Sequence, residues 1–202
     1  LKNFTSLVNP ATTDSDLLPN SRTNHVDREN AVSETTDIAL AAKGDKAAFK
    51  RLYDRHIRNV YGQVLRLTAD ASLTDDLVQE IFVQVWRSLP KFDQRSKFST
   101  WLYSLANNVA ITELRKQTRW FKRNQRAAEQ EDPNRCADLE DGIDLGALDQ
   151  LVIKLPEQTR QVFVLHALNN YSHQQIADLL GIAEGTSKSQ FHRARNLMQE
   201  WL

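Results

Sequence analysis

The stretch Tyr171-Ser172-His173-Gln174-Gln175-Ile176-Ala177-Asp178-Leu179-Leu180-Gly181-Ile182 decides the fold. Ser172 followed three residues later by Gln175 fits a capping box, with the hydroxyl accepting from the Gln175 amide and the Gln175 side chain reaching back. Ile176, Ala177, Leu179 and Leu180 continue at helical spacing. Small Ala177 lets a second helix approach closely. Gly181 stands where the chain must turn, a position that favours positive φ. Ile182 then points back into the core. A second helix is predicted from about Glu184 to Gln199, with Phe191, Ala194, Leu197 and Met198 inside. Its outer face carries Lys188, Ser189, Gln190, His192, Arg193 and Arg195. Basic and amide side chains on the leading half of such a helix suit the major groove, where Arg or Lys reads guanine and Gln reads adenine. An ordinary helical hairpin with a solvated basic face is the plainer alternative. The cap, the alanine, the glycine and the isoleucine at these offsets favour DNA binding.

Upstream of this motif, Leu148, Leu151, Val152 and Leu155 lead to Pro156, which suits the first turn of a helix carrying Val162, Leu165 and Leu168. Nearer the N-terminus, Phe49, Leu52, Tyr53, Ile57, Val60, Tyr61, Val64 and Leu65 form one apolar helical stripe. A second stripe is Val78, Ile81, Phe82, Val85, Trp86 and Leu89; Thr74, Asp75 and Asp76 are its cap candidates and Pro90 ends it. A third is Phe98, Trp101, Leu102, Leu105, Ala106 and Val109, with Ser96 as a candidate cap. Residues 1–36, rich in Ser, Thr, Asn and Asp, read as a disordered extension. From 118 to 145 the apolar period fades for roughly 28 residues, which reads as a linker. The expectation is an all-α chain of two small helical domains joined by a flexible linker. A three- to four-helix bundle occupies 37–117 and a helix-turn-helix domain occupies 146–202.

Composition narrows the class. The 202 residues carry no net formal charge, 41% hydrophobic and 26% charged residues, as in an ordinary globular chain. No apolar run approaches the roughly 20 residues that span a bilayer, and no basic start followed by an apolar block marks a secretory signal. Cys136 is the single cysteine, so neither an internal disulfide nor a cysteine-based zinc site is expected. Cytoplasmic location is the default expectation. Charge is unevenly spread. Arg87–Arg126 sums to +8, and Ala127–Gln150 to −7. A basic block beside an acidic one suggests a nucleic-acid surface next to a segment that mimics or avoids it. Because non-specific affinity grows with the number of phosphates neutralised, a chain of zero net charge should bind free DNA poorly. Asp138, Glu140, Asp141 and Asp144 of the acidic segment are expected to mask the basic surfaces or to occupy a basic channel of a partner.

Three segments resemble bacterial RNA polymerase sigma factors of the extracytoplasmic-function class. Asp75-Asp76-Leu77-Val78-Gln79-Glu80-Ile81-Phe82-Val83-Gln84-Val85-Trp86 resembles the family's polymerase-docking helix. Phe98-Ser99-Thr100-Trp101-Leu102, followed by Ala106, Asn108 and Arg115, resembles its −10 helix. Tyr171 to Arg195 resembles its −35 helix-turn-helix, with Gly185-Thr186, Lys188-Ser189 and His192-Arg193-Ala194-Arg195. The resemblance implies a subunit that binds core RNA polymerase, through the β′ clamp helices and the β subunit, and directs promoter recognition, melting and initiation. It implies promoter DNA as a partner, an anti-sigma factor as another, and no catalysis, cofactor, metal or small-molecule substrate.

Individual residues follow. The docking expectation falls on Asp76, Gln79, Glu80, Val83 and Arg87, opposite the apolar stripe. The loop Lys91-Phe92-Asp93-Gln94-Arg95-Ser96-Lys97 matches the family's base-capturing loop. Asp93, Gln94, Arg95, Ser96 and Lys97 offer partners for a flipped base's polar edge and its phosphates. Trp101 lies on the apolar stripe, so a core role is expected, with a wedge at the melted junction as the other reading. Asn108, Arg115, Lys116 and Arg119 are placed for phosphate contacts. In the C-terminal helix Thr186, Lys188, Ser189, Gln190, His192 and Arg193 are the −35 candidates. The chain departs from the family pattern at Asn107, Thr112, Ser187 and Gln190, which separates the position of the reading helix from the sequence it reads. The alternative is a stand-alone helix-turn-helix regulator with an N-terminal sensing or dimerisation domain.

Overall fold

The structure, a computed structural model, describes residues 33–124 and 146–202. The expectations of a disordered extension over 1–32 and an acidic linker over 125–145, Cys136 included, lie outside those residues. Among the described residues eight α-helices follow one another: α1 (residues 33–41), α2 (Lys46–Thr68), α3 (Ala71–Ser88), α4 (Phe98–Asn124), α5 (Ala147–Ile153), α6 (Glu157–Phe163), α7 (His173–Leu180) and α8 (Glu184–Trp201). A 3-10 turn, Leu89–Lys91, follows α3, and a π-type turn, Val164–Leu168, extends α6. No strand occurs among the described residues, in agreement with the expected all-α class.

The described residues divide into two compact units. One holds residues 33–56 together with Trp86–Phe92. Here α1 is tied to α2 by charge. Arg51 forks onto Asp37 Oδ1 at 2.8 and 2.6 Å, and His56 Nε2 meets Glu34 Oε1 at 2.7 Å. Asp45 Oδ1 caps α2, accepting from the Ala47 and Ala48 amides. Trp86 packs edge-on to Phe49, with ring centroids 4.9 Å apart. Residues 33–36, assigned to the extension from their polarity, are therefore helical. Local periodicity missed them because Glu34 is held by tertiary ion pairs rather than by an apolar stripe.

The second unit holds, of the described residues, 57–85, 93–124 and 146–202. Leu65, Ile81, Leu102, Ile111, Phe163, Leu165, Ile176 and Met198 are fully buried in it, each contributing about 1.5–3 kcal/mol of hydrophobic transfer. Two cap expectations shift. Helix α3 starts at Ala71, capped by Asp70, whose Oδ1 accepts from the Leu73 amide at 2.9 Å. Thr74 is buried within the first turn, its hydroxyl donating to the Asp70 carbonyl at 2.6 Å, so neither it nor Asp75 or Asp76 is the cap. Asp75 instead faces Tyr61, whose phenol is held above its usual pKa by burial first and by Asp75 second. Helix α4 starts at Phe98, with the Lys97 carbonyl accepting from the Trp101 amide at 3.2 Å, one residue later than a Ser96 cap would place it. It continues to Asn124, so residues 118–124 are helix rather than the start of a linker. Their polarity hid them from an apolar-period reading; helix propagation needs no apolar stripe once a long helix is nucleated.

Candidate nucleic-acid interface

The helix-turn-helix is built by local chemistry. Ser172 Oγ accepts from the Gln175 amide at 3.2 Å, and Gln175 Oε1 accepts from the Ser172 amide at 2.9 Å, completing the capping box. Gly181 sits at φ 69°, ψ 41°, the left-handed conformation that a side chain resists. The amides of Gly181 and Ile182 both donate to the Ala177 carbonyl, closing the end of α7. Helix α8 then runs from Glu184, with Ser187, Ala194 and Met198 buried.

Ser187, which departs from an apolar pattern, is buried with its hydroxyl 2.9 Å from His173 Nδ1. The His173 ring stacks on His166 with centroids 4.2 Å apart. Burial, then His166 and Lys188, hold the His173 imidazole below its usual pKa. These contacts fix the leading turn of α8 against the start of α7. No sequence signal pointed to them, because a serine in place of an apolar residue reads as a loss until its partner is known.

On the outer face of α8, Lys188, Ser189, His192 and Arg193 are exposed. Lys188 Nζ pairs with Glu184 at 2.7 Å, which also holds the Glu184 carboxyl below its usual range. Ser189 Oγ donates to the Thr186 carbonyl, and Thr186 is half-buried. Gln190 is half-buried and already engaged. Its Oε1 accepts from the Thr159 hydroxyl at 2.6 Å and its Nε2 donates to Gln158 at 3.2 Å. The exposed basic edge of the helix is thus formed by Lys188, His192 and Arg193 rather than by Gln190.

The second surface lies along α3 and α4. Asp76, Gln79, Glu80 and Val83 are exposed on α3, Val83 at 43% of its surface. Arg87, near the end of the same helix, is exposed as well. Val78, Ile81, Phe82 and Val85 are buried, as the stripe requires. Between α3 and α4 runs an open groove of about 870 Å³, with Asp76 and Glu80 on one side and Trp101, Asn108 and Lys116 on the other. Trp101 is half-buried in that wall and 5.7 Å from the Phe98 ring, so the expected core role gives way to a groove-lining one. Helix α4 turns Trp101 away from the fully buried Leu102 and Ala106.

The loop before α4 leaves Asp93, Gln94, Arg95, Ser96 and Lys97 exposed. Asp93 pairs with Arg95 Nε at 3.0 Å and accepts from the Arg95 amide at 3.2 Å. Gln94 adopts φ 57°, a strained choice for a residue with a side chain. Farther along α4, Asn108, Lys116 and Arg119 are exposed and Lys116 pairs with Glu113 at 2.9 Å. Arg115 is half-buried, its Nη1 donating to the Leu179 carbonyl at 3.0 Å. Asn107 is buried, and its Oδ1 accepts from Gln63 at 2.6 Å.

Among the described residues no group of three His, Cys, Asp or Glu side chains is placed to hold a metal. No helix among them is long and apolar enough to cross a membrane.

The family model for Sigma-70 region 2 matches residues 52–119, and that for Sigma-70 region 4 matches residues 145–198. The chain is 31% identical over 180 residues to the ECF RNA polymerase sigma-E factor of Haemophilus influenzae, covering 82% of this chain and 95% of the relative. It is 29% identical over 176 residues to the ECF RNA polymerase sigma factor SigW of Bacillus subtilis, covering 82% and 94%. Among solved structures, the sigma factor RpoE of Bartonella quintana, crystallised with the anti-sigma factor NepR, shares the fold at a TM-score of 0.50 and 24% identity, over 75% of this chain and 94% of that one. Both sigma-70 regions stand in order on the helices just described, which sets aside the stand-alone regulator, and the chain belongs to the extracytoplasmic-function family of RNA polymerase sigma factors, binding core polymerase and promoter DNA to direct transcription initiation.

Proposed function

We propose that residues 37–117 form the polymerase-docking and promoter-melting domain, and residues 146–202 the upstream-reading domain. Asp76, Gln79, Glu80, Val83 and Arg87 bind the β′ clamp helices. Asp93, Gln94, Arg95, Ser96 and Lys97 hold a base taken from the stack of the −10 element. Trp101, Asn108, Lys116 and Arg119 follow the adjoining strand, joined by Arg115 once it is released from Leu179. Thr186, Lys188, Ser189, Gln190, His192 and Arg193 meet the −35 element. The observation that carries this reading is the groove itself, whose acidic α3 wall and aromatic, polar and basic α4 wall suit two different partners side by side. Aromatic and cationic groups on one helix suit unstacked bases and their phosphates. Exposed carboxylates repel DNA and suit a basic protein surface.

The chain acts by positioning, without catalysis of its own, in the cytoplasm where the polymerase works. An anti-sigma factor holds it in reserve, a partner supported by the complex in which its structural relative was solved. Competition for core polymerase tests the docking face. Asp76→Lys with Glu80→Lys should weaken core binding at least about tenfold while leaving the circular dichroism unchanged; full competition by that variant would refute the assignment. Arg193→Ala should weaken upstream recognition by about 1–3 kcal/mol, and unchanged promoter competition would remove Arg193 from the reading set.

A further inference from the structure

Helix α4 outruns the family match. The region 2 match ends at residue 119 and the region 4 match begins at 145, whereas α4 continues to Asn124. The first residue past the match is Trp120, with 54% of its surface exposed. Glu113 and Lys116 line the open groove. Trp120 follows them at seven and four residues, so it prolongs that wall by one helical turn, about 5.4 Å. Lys116 and Arg119 are exposed on the same helix beside it.

Charge decides what the indole can meet. Between Arg115 and Asn124 the sequence holds five basic residues and no acidic one. Complementing the dipole at the helix end takes no more than a cation or two in the last turn, and this run extends over roughly three turns. An exposed tryptophan by itself needs no explanation. Set among cations without a carboxylate, it suits a polyanion and disfavours a basic protein surface. An indole offers a flat apolar ring with a single N–H donor. That shape suits the deoxyribose edge between two phosphates. Reading a base edge takes paired donors and acceptors, such as an arginine or an amide, which an indole lacks.

We infer that Trp120 is a third promoter contact, packing on the backbone of the duplex between the −10 and −35 elements while Lys116 and Arg119 hold the flanking phosphates. The inference rests on the reading of α4 as a DNA-facing helix. The strand followed by Trp101, Asn108, Lys116 and Arg119 reaches Trp120 last, where it rejoins its complement. The contact is indifferent to base sequence, so it adds affinity on every promoter the chain uses.

The test is hydroxyl-radical footprinting, which reports the accessibility of each sugar. It uses holoenzyme made from core polymerase and the full chain on a promoter fragment. The parent should protect the sugars just upstream of the melted segment. Trp120→Ala should expose them and weaken promoter binding about tenfold, whatever the spacer sequence, while keeping the parent's circular dichroism and core affinity. Trp120→Phe should restore most of the protection. Arg119→Ala should reduce the slope of log affinity on log salt by about 0.9, and Trp120→Ala should leave that slope unchanged, which separates a phosphate contact from an apolar one. Equal protection of the spacer sugars by the parent and Trp120→Ala would overturn the contact. So would a loss of core affinity in Trp120→Ala, the mark of a protein contact, or a loss confined to one spacer sequence, the mark of a base reader. Failure of the α4 reading looks different: Lys116→Ala and Arg119→Ala would both keep the parent's salt slope.

Discussion

The helix-turn-helix and the α4 surface, the two faces proposed to meet DNA, are built by opposite routes. Between Ser172 and Ile182 the cap, the left-handed glycine and the closing hydrogen bonds are all satisfied within the segment. Along α4, by contrast, Asn107 is held by Gln63 from α2, and Arg115 reaches the carbonyl of Leu179 on α7. The first region carries its geometry in its own residues. The second borrows it from elements distant in the chain.

The largest effect should come where the two routes meet, at Gly181. Gly181→Ala forces a Cβ into the left-handed region, at about 1–2 kcal/mol, and toward the Arg115 guanidinium, so the unfolding free energy from urea titration should fall by at least that much and the midpoint with it. An unchanged midpoint would show that α7 is not closed by a left-handed residue. Next come the two caps. Ser172→Ala and Asp70→Ala should each cost about 1 kcal/mol, read by chemical denaturation. Only Ser172→Ala should also weaken −35 duplex binding, because only that cap sets the start of α7. Smaller still is the coupling between regions. Arg115→Gln in the Gly181→Ala background should recover about 0.5–1 kcal/mol; strict additivity would separate α4 from the turn.

The smallest effect is on pH. In the folded chain His173 has a lowered pKa, so below about 6.5 the unfolded chain takes up the proton first. Stability should therefore decline as pH falls through that value and level off below the folded pKa. His173→Gln should flatten this slope in thermal melts at pH 5 to 8; equal slopes would discount the stacked pair.

The same contrast explains what was legible in the sequence. The capping box, Gly181 and the Phe191, Ala194, Leu197 and Met198 face could be read because each depends on neighbours within a turn or two. The exposed face of α3 was legible for the same reason, as the complement of an apolar stripe. Trp101 was misplaced because period alone assigns a residue to a stripe without saying how wide the buried stripe is. Arg160, Asp70 and the His173–Ser187 pair were missed. Arg160 lies among Thr159 and Gln161, two further polar residues that are buried in the fold, and nothing local marks such a run as interior. Besides the nearby Ile153 and Leu155 carbonyls, its guanidinium donates to those of Thr68 and Leu67, 92 and 93 positions away.

The division of labour between the two regions is open to one direct measurement. Holoenzyme reconstituted from core polymerase and the full chain is placed on a promoter recovered from genomic fragments, then read by upstream nuclease protection and by permanganate reactivity of unpaired thymines. The combined Asp93→Ala, Gln94→Ala and Arg95→Ala variant should keep the upstream footprint and lose the permanganate signal, while Arg193→Ala should lose the upstream footprint. A loop variant that melts the promoter as the parent does, or an Arg193→Ala protein with an intact upstream footprint, would contradict the account.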